Sequence, residues 1–343
     1  MFLSIFDIFK VGIGPSSSHT MGPMVAAGRF LDALRSGMEA IPGAGAPARL
    51  GCTLHGSLAF TGKGHATDRA VTLGLGGFSP DSFDAEKAGE AEAAIRKSGE
   101  VRPSGLPPMA FDPGEDLKFE YGPALPGHAN GMILSAYDDR GALYMKETYY
   151  SVGGGFVVTE KELAAEAANA DPPDVPYPFR TALEMLHMTA AEDISIAEMK
   201  RRNELSQISP LALKTGVAKI WQVMNDCMDR GLSRHGDLPG GLPIRRRAKA
   251  IHEKLLAEHG RNLTAPHVIN DWIAVYAMAV NEENAAGGQV VTAPTNGASG
   301  VVPAAIRYYL DPVPGARREK VEEFLLTAAA LGAVIKHNAS ISG

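Results

Sequence analysis

An α+β (α/β) domain followed by an all-α domain is the architecture this sequence predicts, and three features carry that prediction. Leu50, Cys52 and Leu54 alternate with Gly51, Thr53 and His55, the period of a half-buried strand. Residues 132–137 and 142–150 flank Asp138-Asp139-Arg140-Gly141 as two strands flank a hairpin turn. Beyond DPPDVPYP at 171–178 the pattern turns helical: Leu213, Val217, Ile220, Trp221, Met224 and Met228 share one helix face, as do Val321, Phe324, Leu325 and Ala328.

Each half then follows in order. In the first, Ala27, Phe30, Leu31 and Leu34 recur at helical spacing between the strand signals. The prolines of DPPDVPYP neither continue a helix nor pair in a central strand, so the stretch reads as a linker. The expected division is a domain at 1–158, a linker at 159–178 and a helical domain at 179–343. With 343 residues the chain is long enough for two cores, and 45% hydrophobic with 21% charged residues suits folded globular domains.

The formal net charge of −6 gives no pull towards nucleic acid or an anionic membrane, which leaves a small molecule as the expected partner. The densest charge block, Arg245-Arg246-Arg247, reads as a solvated helix face. Residues 1–9 are apolar but interrupted by Asp7 and lack a basic start, unlike a secretory signal. The apolar run at 325–335 is too short to span a bilayer, so a cytoplasmic protein is expected. Two distant cysteines, Cys52 and Cys227, do not build a disulfide framework or a zinc or cluster site, and each reads as a buried apolar group.

Three polar segments exceed what a merely stable domain needs. GIGPSSSHTMGP at 12–23 places Ser16, Ser17, Ser18, His19 and Thr20 just before a helix expected to open near Pro23. One such residue caps a helix, whereas several make a site for a carboxylate or phosphate. TAPTNGASG at 292–300 repeats the chemistry with Thr292, Thr295, Asn296 and Ser299 before a helix near Val301, although an ordinary turn with a serine cap fits equally well. KHNASISG at 336–343 follows a helix from Arg317, where Lys336 and His337 complement the helix dipole.

Of ten histidines, His187, His235, His252, His259 and His267 lie on or beside expected helices and suit structural roles, and His55 lies on a strand. His19, His65 and His128 fall in loops rich in serine or glycine and are the acid–base candidates. Lys63, two residues before His65, would favour the neutral, proton-accepting form of that histidine by charge repulsion.

Together, FDIFKVGIGPSSSHTMGPM at 6–24, HGSLAFTGKGHATDRA at 55–70, LPGHANGM at 125–132, TAPTNGASGVVPA at 292–304 and KHNASISG at 336–343 resemble the single-chain bacterial iron–sulfur L-serine dehydratases. The resemblance implies an N-terminal α/β domain, a helical domain that carries a 4Fe-4S cluster, and an active site between them. It also implies deamination of L-serine to pyruvate and ammonia, with an open iron of the cluster acting on the serine hydroxyl. On this sequence His65 is the expected base, with His19 and His128 as its partners. Ser16, Ser17, Ser18, Thr20, Lys63, Asn130, Thr292, Asn296, His337 and Asn338 are the expected substrate contacts. A cytoplasmic homodimer is expected.

The family's cluster cysteines follow SISG, whereas this sequence ends at Gly343 and has no cysteine after Cys227. The expectation is therefore an incomplete helical domain with no metal ligand in this chain and little or no activity. Two rival readings remain. A lyase dependent on pyridoxal phosphate (PLP) would need a Schiff-base lysine and a phosphate loop, for which Gly153-Gly154-Gly155 is the candidate. A non-enzymatic serine-binding module would use the same serine-rich loop.

Overall fold

The computed structural model describes residues 2–37, 40–168, 174–240, 242–258, 268–311 and 313–338. The chain forms two compact units: residues 15–168 make one, and residues 2–14 join the described residues from 174 onward in the other. The N-terminal segment thus departs from the expected domain at 1–158, because its partners lie near the other end of the chain.

That segment holds helix α1 (Ile5–Ile8) and strand β1 (Val11–Ile13). Ser4 caps α1 in a reciprocal box with Asp7, and apolar Ile5 and Ile8 are buried beneath it. The Glu204 carboxylate accepts from Ser4 Oγ (2.7 Å) and Ile5 N (2.7 Å) and pairs with Lys200 Nζ (2.8 Å). Lys200 also donates to Leu3 O and sits 4.2 Å from the centre of the Phe2 ring. Burial pushes the Lys200 ammonium pKa down, and Glu204 opposes that shift.

The first unit is a sheet covered by helices. Its elements in order are α2 (Gly22–Ser36), β2 (Arg49–His55), α3 (Ser57–Phe60), α4 (Thr67–Leu75), α5 (Ala85–Ser98), β3 (Glu100–Val101), β4 (Met109–Ala110), β5 (Leu117–Glu120), β6 (Gly131–Tyr137), β7 (Leu143–Ser151), β8 (Val157–Thr159) and α6 (Glu160–Ala168). The sheet runs β3-β4-β2-β6-β7-β8, with β5 also paired to β2. The hairpin lies where the alternation predicts it, with Gly131 opposite Tyr150 and Tyr137 opposite Leu143. Leu50, Cys52 and Leu54 of β2 are buried in the same core as Phe30, Leu31 and Leu34 of α2. At Gly74 a Cβ would fall 2.7 Å from Ala27 Cβ, so glycine permits the close approach of α4 to α2.

Two local expectations change here. Residues 160–168, read as linker, are helical: Glu and Ala favour helix, and Thr159 and Glu162 cap its start reciprocally at 2.8 and 3.1 Å. The glycine run at 153–155 is the turn from β7 to β8, with all three residues at positive φ (86°, 61° and 74°). Residues 169–173 lie outside the described residues, and beyond them Val175 is buried while Asn203 binds both the N–H and the C=O of Tyr177.

The second unit adds α7 (Ala182–Glu192), α8 (Ile196–Leu205), α9 (Pro210–Ser233), α10 (Ala248–Glu258), α11 (Val268–Ala285), β9 (Gln289–Val291), α12 (Val301–Leu310) and α13 (Lys320–Asn338). The apolar stripe of α9 is buried except for half-buried Trp221, whereas Phe324 of α13 stays 38% exposed. Strand β9 breaks the run of helices and pairs antiparallel with β1 in the register Val11–Val291, Gly12–Val290 and Ile13–Gln289.

Glu204→Ala should cost about 3–5 kcal/mol in urea unfolding, because it leaves Lys200 buried and unpaired. Replacing both partners, Lys200→Met with Glu204→Leu, should cost less than that single change.

Candidate active site

The serine-rich loop does not cap a helix near Pro23. The helical path begins earlier, in a π-helical turn at Ser17–Met21 that leads into α2, and Ser16 is its cap, accepting from His19 N (3.2 Å). The remaining hydroxyls are thereby turned to other partners. Thr20 Oγ1 donates to His65 O (2.8 Å), and Thr67 Oγ1 donates to His19 O (2.6 Å). These two bonds tie the segments carrying His19 and His65 together, with the ring centres 4.8 Å apart.

The two histidines are equipped differently. His19 Nδ1 lies 2.9 Å from Ser18 Oγ and His19 Nε2 lies 2.9 Å from Ser57 Oγ. A hydroxyl both donates and accepts, so Ser18 and Ser57 suit either tautomer of His19. Burial, and secondly the nearby His65 ring, pull the His19 pKa down to about 4, so it is neutral at pH 7. His65 Nδ1 lies 2.9 Å from Thr61 O, a carbonyl that only accepts. The neutral ring therefore carries its proton on Nδ1 and its lone pair on Nε2. His65 ends a tight turn at Lys63–His65, and Ala66 follows at φ 51°, a left-handed conformation that alanine adopts at some cost.

His128 and Asn130 join the same unit through Ser151. Asn130 N donates to His128 Nδ1 (3.0 Å), Asn130 Nδ2 donates to Ser151 O (3.1 Å), and Ser151 Oγ donates to Ser18 O (2.7 Å). The acceptor role of Nδ1 puts the proton of neutral His128 on Nε2, and burial lowers its pKa. Ser17 is buried, and Lys63 is exposed with its ammonium 5.5 Å from the centre of the Phe119 ring. Ser57 and Ser151, which anchor the two histidine segments, are single serines that sequence reasoning did not single out.

The other expected contacts lie in the helical unit. Thr292 Oγ1 donates to Ile8 O (3.0 Å) and accepts from Lys10 N (3.1 Å), so its hydroxyl is spent on the main chain beside β1. Asn296 Nδ2 donates to Ile13 O (2.9 Å) and Asn284 Oδ1 (3.0 Å). Lys336, His337 and Asn338 form the last turn of α13 rather than a loop after it, and 339–343 lie outside the described residues. His337 lines a cavity of about 180 Å³ with Phe2, Tyr177, Arg180, Glu184 and Asn203. Asn338 Nδ2 donates to Val334 O (2.7 Å) and Arg180 O (3.3 Å). Lys10, which sequence reasoning passed over, has its pKa lowered to about 8 by burial, with Asp7 opposing and Lys336 adding to the shift.

An iron–sulfur cluster needs accessible thiolates, and the two thiols of this chain do not fit that need. Cys52 is buried in the sheet core and Cys227 in a helical core, and burial pushes the thiol pKa up, to about 12 for Cys227. Among the described residues no group of three or more His, Cys, Asp or Glu side chains is placed to hold a metal ion. Among them, too, no helix is long and apolar enough to cross a membrane.

Known proteins define the class. The family model described as serine dehydratase beta chain matches residues 4–162, and the one described as serine dehydratase alpha chain matches 186–343. The chain belongs to the serine dehydratase family. It is 47% identical to the L-serine dehydratase of Streptomyces coelicolor over 343 residues, which is 100% of this chain and 74% of that protein. It is 41% identical to L-serine dehydratase 1 of Escherichia coli, over 99% of this chain and 73% of that one. The L-serine dehydratase of Mycobacterium tuberculosis is 41% identical over 100% of this chain and 73% of its own length.

The low pKa of His19 has a consequence for stability. Unfolded chains take up this proton near pH 6.5, whereas the folded site resists it until about pH 4. The contribution is complete above pH 6.5 and is lost as pH falls towards 4. Melting temperature should decline across that window, and His19→Gln should flatten the decline in a calorimetric pH series.

Proposed function

We propose that this chain supplies the substrate-binding and proton-transfer groups for deamination of L-serine to pyruvate and ammonia. The observation that carries the proposal is the His19–His65 pair, in which one ring is held neutral between two hydroxyls and the other keeps a free Nε2 lone pair. In this reading His65 Nε2 accepts the Cα proton of L-serine. The proton that His65 takes is passed to the departing hydroxyl, relayed by neutral His19 through its hydrogen bonds to Ser18 and Ser57, so that water leaves and both rings end neutral. Loss of water leaves aminoacrylate, which tautomerises and hydrolyses to pyruvate and ammonia.

Ser16, Ser17, Ser18, Thr20, Lys63 and Asn130 are assigned to the substrate or its surroundings, with His128 as a positioning group. The same reading carries Asn296, His337 and Asn338 as substrate-side groups of the helical unit, with Thr292 holding the main chain of Ile8 and Lys10. It makes the protein a cytoplasmic homodimer whose small-molecule partner is L-serine. A 4Fe-4S cluster would need ligands other than the two buried thiols of this chain.

Pyruvate release from L-serine should be followed on a fusion of this chain with the quarter of the Streptomyces coelicolor relative that it does not span, treated anaerobically with iron and sulfide. Turnover is expected there and not with PLP alone. His65→Asn should lower kcat about 10²–10⁴-fold, the usual worth of a general base. A folded fusion that is inactive, or one as active with His65→Asn as without it, would overturn the proposal.

A further inference from the structure

The turn between β9 and α12 holds a carboxamide whose orientation follows from its neighbours alone. Asn296 is 2% exposed, and one end of its side-chain amide lies 2.9 Å from the carbonyl oxygen of Ile13. A main-chain carbonyl only accepts, so that end is the NH₂ group. The same nitrogen lies 3.0 Å from the side chain of Asn284, whose facing atom must then be its oxygen. Both amide hydrogens of Asn296 are thus spent, and Asn296 Oδ1 is left buried with no donor among the described residues. Burying such an acceptor is unfavourable unless something donates to it.

The approach that fixes this geometry is tight. A Cβ on Gly14 would fall 1.8 Å from Asn284 O, so only glycine lets the Ile13–Gly14 main chain lie against the end of α11. Three residues beyond Asn296, Ser299 Oγ is also buried with no partner among the described residues, and Ser299 N donates to Asn296 O (3.1 Å), which closes the turn. Between them, a Cβ on Gly297 would meet nothing within 4 Å, which leaves open space beside the turn. One unspent acceptor and one unspent hydroxyl on a single turn match an α-amino acid, which offers a donor and an acceptor on one carbon.

We infer that Asn296 Oδ1 accepts from the ammonium group of the amino-acid substrate, with Ser299 Oγ donating to its carboxylate, and that Asn284 is the positioning residue that fixes this polarity. The inference rests on L-serine as substrate. It reverses the role expected from sequence, in which Asn296 donates to the carboxylate. Thr292, whose hydroxyl is committed to Ile8 O and Lys10 N, has no part in it.

The test is calorimetric titration of the chain with L-serine and with 3-hydroxypropionate, which keeps the carboxylate and hydroxyl but lacks the ammonium. Asn284→Ala releases the amide of Asn296 and should weaken L-serine binding about ten-fold, the scale of a hydrogen bond to a charged group, while 3-hydroxypropionate binding stays unchanged. Asn284→Asp keeps an acceptor for Asn296 Nδ2 and should restore L-serine binding. Equal weakening for both ligands, or none for either, overturns this inference and leaves the substrate reading standing. Failure of the unmodified, folded chain to bind L-serine overturns both.

Discussion

Pairing of Val11–Ile13 with Gln289–Val291 is the constraint on which the helical unit depends, because it joins segments from opposite ends of the sequence. A three-residue ladder is weak alone, and the structure supports it from both sides. Thr292 spends its hydroxyl and its amide on the residues around Lys10, and Gly14 N donates to Gly288 O (3.0 Å) where the strand ends. Gly14 of FKVGIGP serves this geometry. At Gly14 the main chain passes so close to α11 that no side chain fits. A motif that resembles a family signature is therefore in part a packing requirement.

Buried charge reinforces the same frame. Glu204 closes α1 and neutralises Lys200, so the first residues of the chain are held by a pair that neither partner could leave without cost. Near the end of α11, Glu282 accepts from Arg247 N and Ala248 N at the start of α10, while Glu283 gathers Arg230, Arg234 and Arg246. Arg230 also donates to Gln289 O (2.8 Å), which carries this network to β9. Arg246, expected on a solvated face, is 6% exposed at its side chain because it serves Glu283. The stretch Glu282-Glu283-Asn284 thus divides three tasks among adjacent residues: a helix cap, a charge centre and the orientation of Asn296.

In the sheet unit the capacities of the histidines follow from main-chain groups whose donor or acceptor role is fixed. Thr61 O fixes the proton of His65 on Nδ1, and Asn130 N fixes the acceptor nitrogen of His128. His19 alone sits between hydroxyls that allow either tautomer. Three loop histidines of similar appearance in the sequence therefore have three different capacities. The distinction comes from main-chain carbonyls and amides, whose roles are the same whatever residue carries them.

By itself the sequence determined the elements whose patterns are local. The hairpin around Asp138–Gly141, the buried face of α9 and the strand at Arg49–His55 are legible because alternation and helical spacing need only near neighbours. The motifs around His19, His65, His128 and Thr292 were enough to point to the serine dehydratase family. Only the tertiary structure decided that residues 2–14 belong with the helical unit, that the helical path starts at Ser17, and that Ser57 and Ser151 anchor the histidine segments. It also decided that Thr292 and the amide hydrogens of Asn296 are already spent. The physical reason is common to all of these: a hydrogen bond between distant residues leaves no period in the sequence, and a polar side chain's capacity depends on which partner the fold brings to it.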